Sequence, residues 1–468
     1  MMNRRQNWYV LRIALVCAMG GLLFGYDWVV IGGAKPFYEQ YFGIAGLPTQ
    51  QGWAMSCALV GCLVGAMIAG GLSDRFGRKP VLIGAAGLFV LTSLATGAAH
   101  SLSAFVLARM AGGVAIGIAS NMSPLYIAEV SPAGARGKYV SVNQLTIVIG
   151  ILLAQFLNWR IAEPIAAPVG TPEFLSSWNC QVGWRMMFWA CAVPAAVFFS
   201  LMWLIPESPR WLARKPESRA KAKAILVRVG GEEHASSELA AIEATFAADT
   251  SEEHVQSVSS PGVRKILIMG IVIAVFQQWC GINVIFNYAQ EVFSAAGYGV
   301  SDTLFNIVIT GSVNLVFTFV GMFTVDRLGR KALMMTGAGG LALLYACIGA
   351  MYFFHQQGVA LLVLVVMAIG CYAMTLAPVT WVILSEIFPN RIRGAAMSVA
   401  TLSLWAACFV LTYTFPLLNA SLRASGTFWL YGMICVLGFW FIVRKLPETK
   451  GKSLEVIEAE LHAVLPRQ

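Results

Sequence analysis

Stretches of about twenty consecutive apolar residues recur along this chain, each long enough to cross a bilayer's hydrocarbon as a helix. They fall near 10–32, 52–73, 80–99, 103–126, 139–159 and 183–205, then near 264–288, 303–325, 332–354, 358–384, 394–418 and 426–446. That makes twelve, six on each side of a polar stretch from Pro206 to Gly262. Inside lipid every backbone polar group must be satisfied within the segment, so the pattern selects an all-α membrane protein. Composition agrees: 58% of residues are hydrophobic and 12% charged, about half the charged share of a soluble protein. The first run reaches from near Val10 to Gly32 without a small-residue cleavage site, and is read as a retained span rather than a signal peptide.

The net charge of +9 does not point to nucleic acid, because Lys and Arg sit in short clusters between the apolar runs. Clusters of this kind mark the cytoplasmic side. They comprise Arg4, Arg5 and Arg12 at the start; Arg75, Arg78 and Lys79 after run 2; and Arg136 and Lys138 after run 4. Arg327, Arg330 and Lys331 follow run 8, Arg391 and Arg393 follow run 10, and Arg444, Lys445, Lys450 and Lys452 close the series. The opposite loops offer little beyond Lys35, Arg160 and Arg423. Both termini are therefore expected in the cytoplasm. In the central stretch, Ile225 and Val229, then Leu239, Ile242 and Phe246, recur at helical spacing, which predicts short amphipathic helices. Only the end from Asp249 to Pro261 reads as a linker.

Ten scattered cysteines show no CxxC or Cys/His spacing, so neither a metal site nor disulfides are expected. No Walker loop, GxSxG or HExxH is present, and no catalytic residue is assigned. The polarity that does occur inside the runs is more informative. Run 7 carries Gln277, Gln278, Asn283 and Asn287 around Gly281. Four amides in hydrocarbon are costly unless each meets a partner or faces water, and glycine lets the helix loosen. With no acid, base or thiol pair beside them, these amides offer hydrogen bonding, suited to a neutral molecule with many hydroxyls. Interhelical bonding is the other use of such amides, worth about 1 kcal/mol each.

Two charges also lie inside runs. Asp27 stands about five residues, roughly 7–8 Å, from the outer end of run 1, and Arg109 about six residues from the same side in run 4. Matching depth makes pairing the natural resolution of a charge that lipid penalises by a few kcal/mol or more. The pair is a proton switch or a fixed strut. As a switch, Arg109 nearby favours the charged carboxylate, and its departure lets Asp27 take a proton. The cost of intramembrane charge favours the switch.

The two sets of runs repeat each other. Asp74-Arg-Phe-Gly-Arg-Lys79 after run 2 returns as Asp326-Arg-Leu-Gly-Arg-Lys331 after run 8. The loop holding Glu129 and Arg136 after run 4 returns with Glu386 and Arg393 after run 10. Pro206-Glu-Ser-Pro-Arg210 after run 6 is echoed by Pro447-Glu-Thr-Lys-Gly451 after run 12. Three motifs in one order, on one side, imply two pseudo-symmetric six-helix halves related by an axis along the membrane normal, with a site between them at mid-depth. The division expected is 1–205, a linker 206–262, 263–446, and a tail 447–468. Glu129 and Glu386 can pair with arginines of these loops (Arg75, Arg78, Arg136, Arg327, Arg330, Arg393), beside Asp74 and Asp326. We expect that network to hold the cytoplasmic side closed. Gly61, Gly65 and Ala69, with Gly113 and Gly117, match a close-packing pattern.

These motifs together resemble the sugar porter family of the major facilitator superfamily, which includes bacterial sugar–proton symporters and animal facilitative glucose carriers. The resemblance covers nearly the whole chain. It implies the major facilitator fold, with short cytoplasmic helices between the halves, and no cofactor beyond a proton as coupling ion. It implies substrate contacts from Phe24 and Gln144 in the first half, and from Gln277, Gln278, Asn283, Asn314, Trp381 and Trp405 in the second. An indole face suits the C–H face of a sugar ring. It also implies coupling through Asp27 and Arg109, since facilitative members commonly lack the acid. The expected partners are a small sugar and the lipid bilayer of a bacterial inner membrane, with the chain acting as a monomer. Several positions depart from the family pattern. Asn287 stands where relatives usually have Tyr, Leu376-Ala377 replaces an aromatic or Gly followed by Gly, and Leu404 replaces Gln or Asn. Ile151 replaces a polar residue of some pentose carriers, and Met322 an expected Gly. A pentose, a hexose or a cyclic polyol all stay open as cargo, as do an uncoupled facilitator and a non-transporting sugar sensor. A drug–proton antiporter fits less well, because run 5 lacks the Gly/Pro-rich motif of those carriers.

Overall fold

The computed structural model describes residues 4–132, 135–165, 167–249, 261–295, 299–356, 358–388 and 393–450. Every regular element among them is helical. The first set of runs folds as α1 (Arg4–Tyr41), α2 (Pro48–Phe76), α3 (Arg78–Gly97), α4 (Leu102–Val130), α5 (Arg136–Ile161), a short α6 (Pro172–Ser176) and α7 (Trp184–Met202). The central stretch forms α8 (Pro209–Ala213), α9 (Arg219–Gly230) and α10 (Glu232–Asp249). Its apolar spacing is used as expected: Leu212, Ala213, Ala222 and Ile242 form a small core, with Trp211, Ile225 and Leu239 against it. The side chain of Phe246, and most of the Asp249–Pro261 segment, lie outside the described residues.

The second set comprises α11 (Pro261–Trp279), α12 (Ile282–Asn287), α13 (Ala289–Ala295), α14 (Val300–Leu328), α15 (Arg330–Phe353), α16 (Val359–Met374), α17 (Leu376–Ile387) and α18 (Arg393–Lys445). Eleven candidate spans are long and apolar enough to cross a membrane. The last of them, α18, is two helices run together at Arg423, where φ is 59°, so the twelve expected crossings are present. Runs 7 and 10 are each broken. α11 stops at Trp279, and Gly281 takes φ +86° before α12 begins, a conformation open to glycine at little cost. α16 stops at Met374 and Thr375 is non-helical. Pro378 sits three residues on, where its missing N–H and ring disfavour helix through the preceding turn.

The chain forms two compact units. The first holds α1 up to Trp28, α2 from Val60, α5 up to Ala154, and α3, α4 and α7–α10. The second holds α1 from Val29, α2 up to Leu59, α5 from Gln155, and α6 and α11–α18. Three helices of the first set thus divide between the units.

Within the first unit, small residues permit backbone contact. A Cβ on Gly61 would lie 1.9 Å from the Met110 carbonyl oxygen, and one on Gly117 would lie 2.3 Å from that of Cys62. α2 and α4 therefore pack as the small-residue spacing predicted. α1 meets α5 the same way: Gly25 faces the Ile147 carbonyl and Gly150 that of Leu22. These contacts fix the turn of α1 that leads into Tyr26 and Asp27. In the second unit α14 uses the break in run 10, since a Cβ on Gly321 would lie 3.0 Å from the Met374 oxygen.

The repeat is visible in detail. Gly77 and Gly329, the glycines of the two DRxGRK loops, have φ of 101° and 91°. Trp189 donates to the Leu94 carbonyl and Trp429 to that of Ala346, at 3.0 and 3.2 Å.

Candidate functional site

Three groups of polar side chains stand out, one in the first unit, one in the second, and one made of equivalent pairs, each internal to its own unit. In the first unit Arg109 of α4 donates from Nη1 to Oδ1 of Asp27 on α1. Both side chains are buried, at 5% and 8% exposure, and the guanidinium also lies 5.5 Å from the centre of the Phe188 ring. The two charges that the sequence put at matching depth are thus in contact. Removing one partner of such a pair strands a buried charge at about 3–5 kcal/mol. Phe24, one turn before Trp28, meets that ring edge-on at 5.8 Å. Phe24 and Gln144 are both half-buried.

The second group is a ladder in the second unit. Asn283 of α12 donates to Gln278 Oε1, Gln278 donates to Gln277 Oε1 at 2.5 Å, and Gln277 donates to the Tyr372 hydroxyl at 2.6 Å. Gln277 and Gln278 close α11 while Asn283 opens the next segment, so the Gly281 break is what folds the three amides onto one another. Burial of these amides is between 5% and 8% exposure, and each has a partner, as the cost of bare amides requires. Tyr372 of α16 was not among the residues singled out in the sequence. Its hydroxyl in an otherwise apolar run was the signal. Trp279 donates to the Ala407 carbonyl at 3.0 Å, tying α11 to α18 beside the buried Leu404 and Trp405. Asn287 is buried and its Oδ1 accepts no hydrogen bond. Its backbone carbonyl lies against Gly32 of α1, 3.0 Å from where a Cβ would sit. Asn314 is buried, whereas Trp381 is 36% exposed.

The third group is formed by the repeated loops. Arg78 grips Glu129 from Nε and Nη2, at 3.0 and 2.9 Å, and reaches Asp74 at 3.2 Å. Arg330 meets Glu386 at 3.0 Å in the second unit. Each glutamate thus pairs with the motif arginine of its own unit. Arg136 donates to the Ala128 carbonyl, Arg75 stacks on Phe76, and the Arg327 carbonyl accepts from Lys450. The side chains of Asp326 and Arg393 lie outside the described residues.

Two glutamates of the PESPR and PETKG motifs, unassigned from sequence, complete these loops. Glu207 accepts the backbone N–H groups of Arg78 and Lys79 at the start of α3, and Glu448 those of Arg330 and Lys331 at the start of α15. Each neutralises the positive end of a helix. Burial pushes the Glu207 carboxyl above the usual carboxylate range, against its N–H donors. Partial burial pushes Glu448 the same way, but the N–H groups of Lys450, Arg330, Lys331 and Thr449 outweigh it and hold this carboxyl below that range.

One expectation is corrected. Lys35, read as a loop charge, lies inside α1, is 3% exposed, and pairs with Glu39 and Glu291.

Comparison with known proteins shows the family and the fold. The family described as "Sugar (and other) transporter" matches residues 13–461. The arabinose-proton symporter of Bacillus subtilis is 36% identical, covering 96% of this chain and 94% of that one. The D-xylose-proton symporter of Escherichia coli is 35% identical over 98% of this chain and 97% of its own. A solved inward-open structure of the E. coli xylose transporter XylE superposes with a TM-score of 0.83 at 34% identity, covering 97% of this chain and all (100%) of that one.

Proposed function

The chain belongs to the sugar transporter family of the major facilitator superfamily, and on that footing we propose that it imports a pentose or hexose together with one proton by alternating access. It is a multi-pass membrane transporter and not an enzyme. We place it in a bacterial inner membrane with both termini in the cytoplasm, following the Lys/Arg asymmetry.

The observation that carries the coupling is the buried Asp27–Arg109 pair. With Asp27 ionised, the pair is satisfied and α1 is tied to α4. A proton on Asp27 discharges it, which weakens its hold on Arg109 and loosens the tie between α1 and α4. One proton entering with a neutral sugar moves one charge, and the membrane potential then supplies about 2.3 kcal/mol per 100 mV. An uncoupled facilitator has no use for a buried acid kept at this cost.

Sugar contact is assigned to the amide ladder of Gln277, Gln278 and Asn283, with Asn287, Asn314, Trp381 and Trp405, and with Phe24 and Gln144 from the other half. In the ladder each amide spends one donor on its neighbour, which leaves donors and acceptors for vicinal hydroxyls. The unpartnered Asn287 Oδ1 costs about 1–3 kcal/mol while buried, which a hydroxyl donor from the sugar would offset. The loops around Glu129 and Glu386 act as the cytoplasmic latch. Both symporter relatives named above carry pentoses, which supports a pentose as the first cargo to try.

The test is uptake by purified protein in liposomes under an imposed inside-alkaline pH gradient, with labelled arabinose, xylose, glucose and myo-inositol. We expect one aldose to accumulate above its external concentration, and accumulation to collapse with a proton ionophore. Equilibration without accumulation for every substrate would refute coupling.

A further inference from the structure

A second buried charge cluster, used by nothing above, lies at the end of α1 beyond Asp27. Lys35 Nζ is 2.9 Å from Glu39 Oε1 one turn on, and it also bonds Glu291 of α13. Gln51 of α2 donates to the other Glu39 oxygen at 2.7 Å. The ammonium lies 5.5 Å from the centre of the Tyr288 ring, whose hydroxyl donates to the Thr412 carbonyl at 2.6 Å. One turn before Lys35, Gly32 abuts the carbonyls of Phe286 and Asn287. Pro36 lies within the same turn of α1 and cannot donate to the Gly32 carbonyl, so α1 has a weak hydrogen-bond rung there. Every one of these contacts is internal to the second unit.

We propose that Lys35, with Glu291 and Glu39, is an outer latch that fastens α1 to the segment after the Gly281 break and releases each time the sugar site opens to the outside. This rests on the alternating-access reading. A permanent strut is served as well by apolar side chains of similar volume, because burying two charges costs more than their attraction returns unless the geometry is excellent. A contact that must open repeatedly to water has the opposite requirement. Ions regain hydration when separated, whereas an apolar contact loses its stabilisation outright. Two carboxylates share one ammonium, so Lys35 keeps Glu39 as a partner on its own helix when Glu291 moves away. Lys35 and Glu291 are positioning residues for Asn287, since they hold the segment that presents its unpartnered Oδ1.

The test is a distance measurement between spin labels on Leu47→Cys and Ser294→Cys, both at exposed positions, with the half-buried Cys347 and Cys371 changed to Ala and the other thiols buried. Glu291→Gln is the clean variant, because it leaves Lys35 matched by Glu39. We expect a long-distance population several-fold larger than in the parent, and a parent-like distribution in Lys35→Arg. The apolar triple variant Lys35→Leu/Glu39→Leu/Glu291→Leu strands no charge and should suppress the long distance. Identical distributions in parent, Glu291→Gln and the triple variant would overturn the latch. No sugar or proton gradient is present in the sample, so failure of the coupled-sugar reading would show in the uptake assay and not here.

Discussion

At the scale of single residues, partners decide what each polar group can do. Gln278 is the centre of the ladder, accepting from Asn283 and donating to Gln277. Gln278→Ala removes both bonds and leaves two neighbours short. We expect sugar affinity to fall about tenfold or more, the equivalent of one to two hydrogen bonds, and the melting temperature without sugar to fall as well, because two buried amides lose a partner. Unchanged affinity by equilibrium binding would remove the ladder from the site. Glu207 and Glu448 hold equivalent places but titrate apart, the first pushed up by burial and the second held down by four N–H donors. The sign follows. Glu448 stabilises the fold above the ordinary carboxylate range, and that contribution is lost as pH falls through its depressed value. Glu207 binds its proton more tightly folded than unfolded, so its ionisation weakens the fold as pH rises through its elevated value. Infrared titration should therefore show the protonated carboxyl band removed by Glu207→Gln appearing at higher pH than the band removed by Glu448→Gln. The reverse order would contradict the assignment.

At the scale of elements, the breaks in runs 7 and 10 matter most. The first was legible: Gly281 sits among amides that a continuous apolar helix would not tolerate. Alanine there meets two penalties, a φ of +86° and a Cβ 2.9 Å from Tyr431 Cβ. Left-handed backbone alone costs about 1–2 kcal/mol. We expect Gly281→Ala to lower the melting temperature and to abolish sugar binding, since the break aligns Gln278 with Asn283. Retained binding would show that the ladder forms without the break. The second break was only half legible, because Pro378 is a helix breaker but Thr375, three residues earlier, carries the non-helical geometry. Lys35 was misplaced for a related reason. The apolar run ends at Gly32, three residues before Lys35, whereas α1 continues to Tyr41 because that charge is paired inside the fold. Helical spacing supplies Glu39, four residues on, but not Glu291, which lies 256 residues away. The same holds for Tyr372, found only once α16 is set beside α11.

At the scale of the whole molecule, twelve crossings and the internal repeat were both written in the sequence, because hydrocarbon thickness and backbone satisfaction leave few alternatives. The pairing of the repeated loops was less so. Exposed charges gave several possible partners, and the structure shows Arg78 with Glu129 and Arg330 with Glu386. Neutralising both with Glu129→Gln and Glu386→Gln should shift the protein toward states open to the cytoplasm, read as a changed distance distribution between labels on that side. An unchanged distribution would remove these loops from the gate. The central claim is that Asp27, released from Arg109, carries the driving proton. Its most direct measurement compares wild type with Asp27→Asn in liposomes, scoring gradient-driven accumulation and sugar exchange at equal concentrations on both sides. Wild type should do both, and Asp27→Asn should lose accumulation while retaining exchange. Undiminished accumulation by Asp27→Asn would contradict the account.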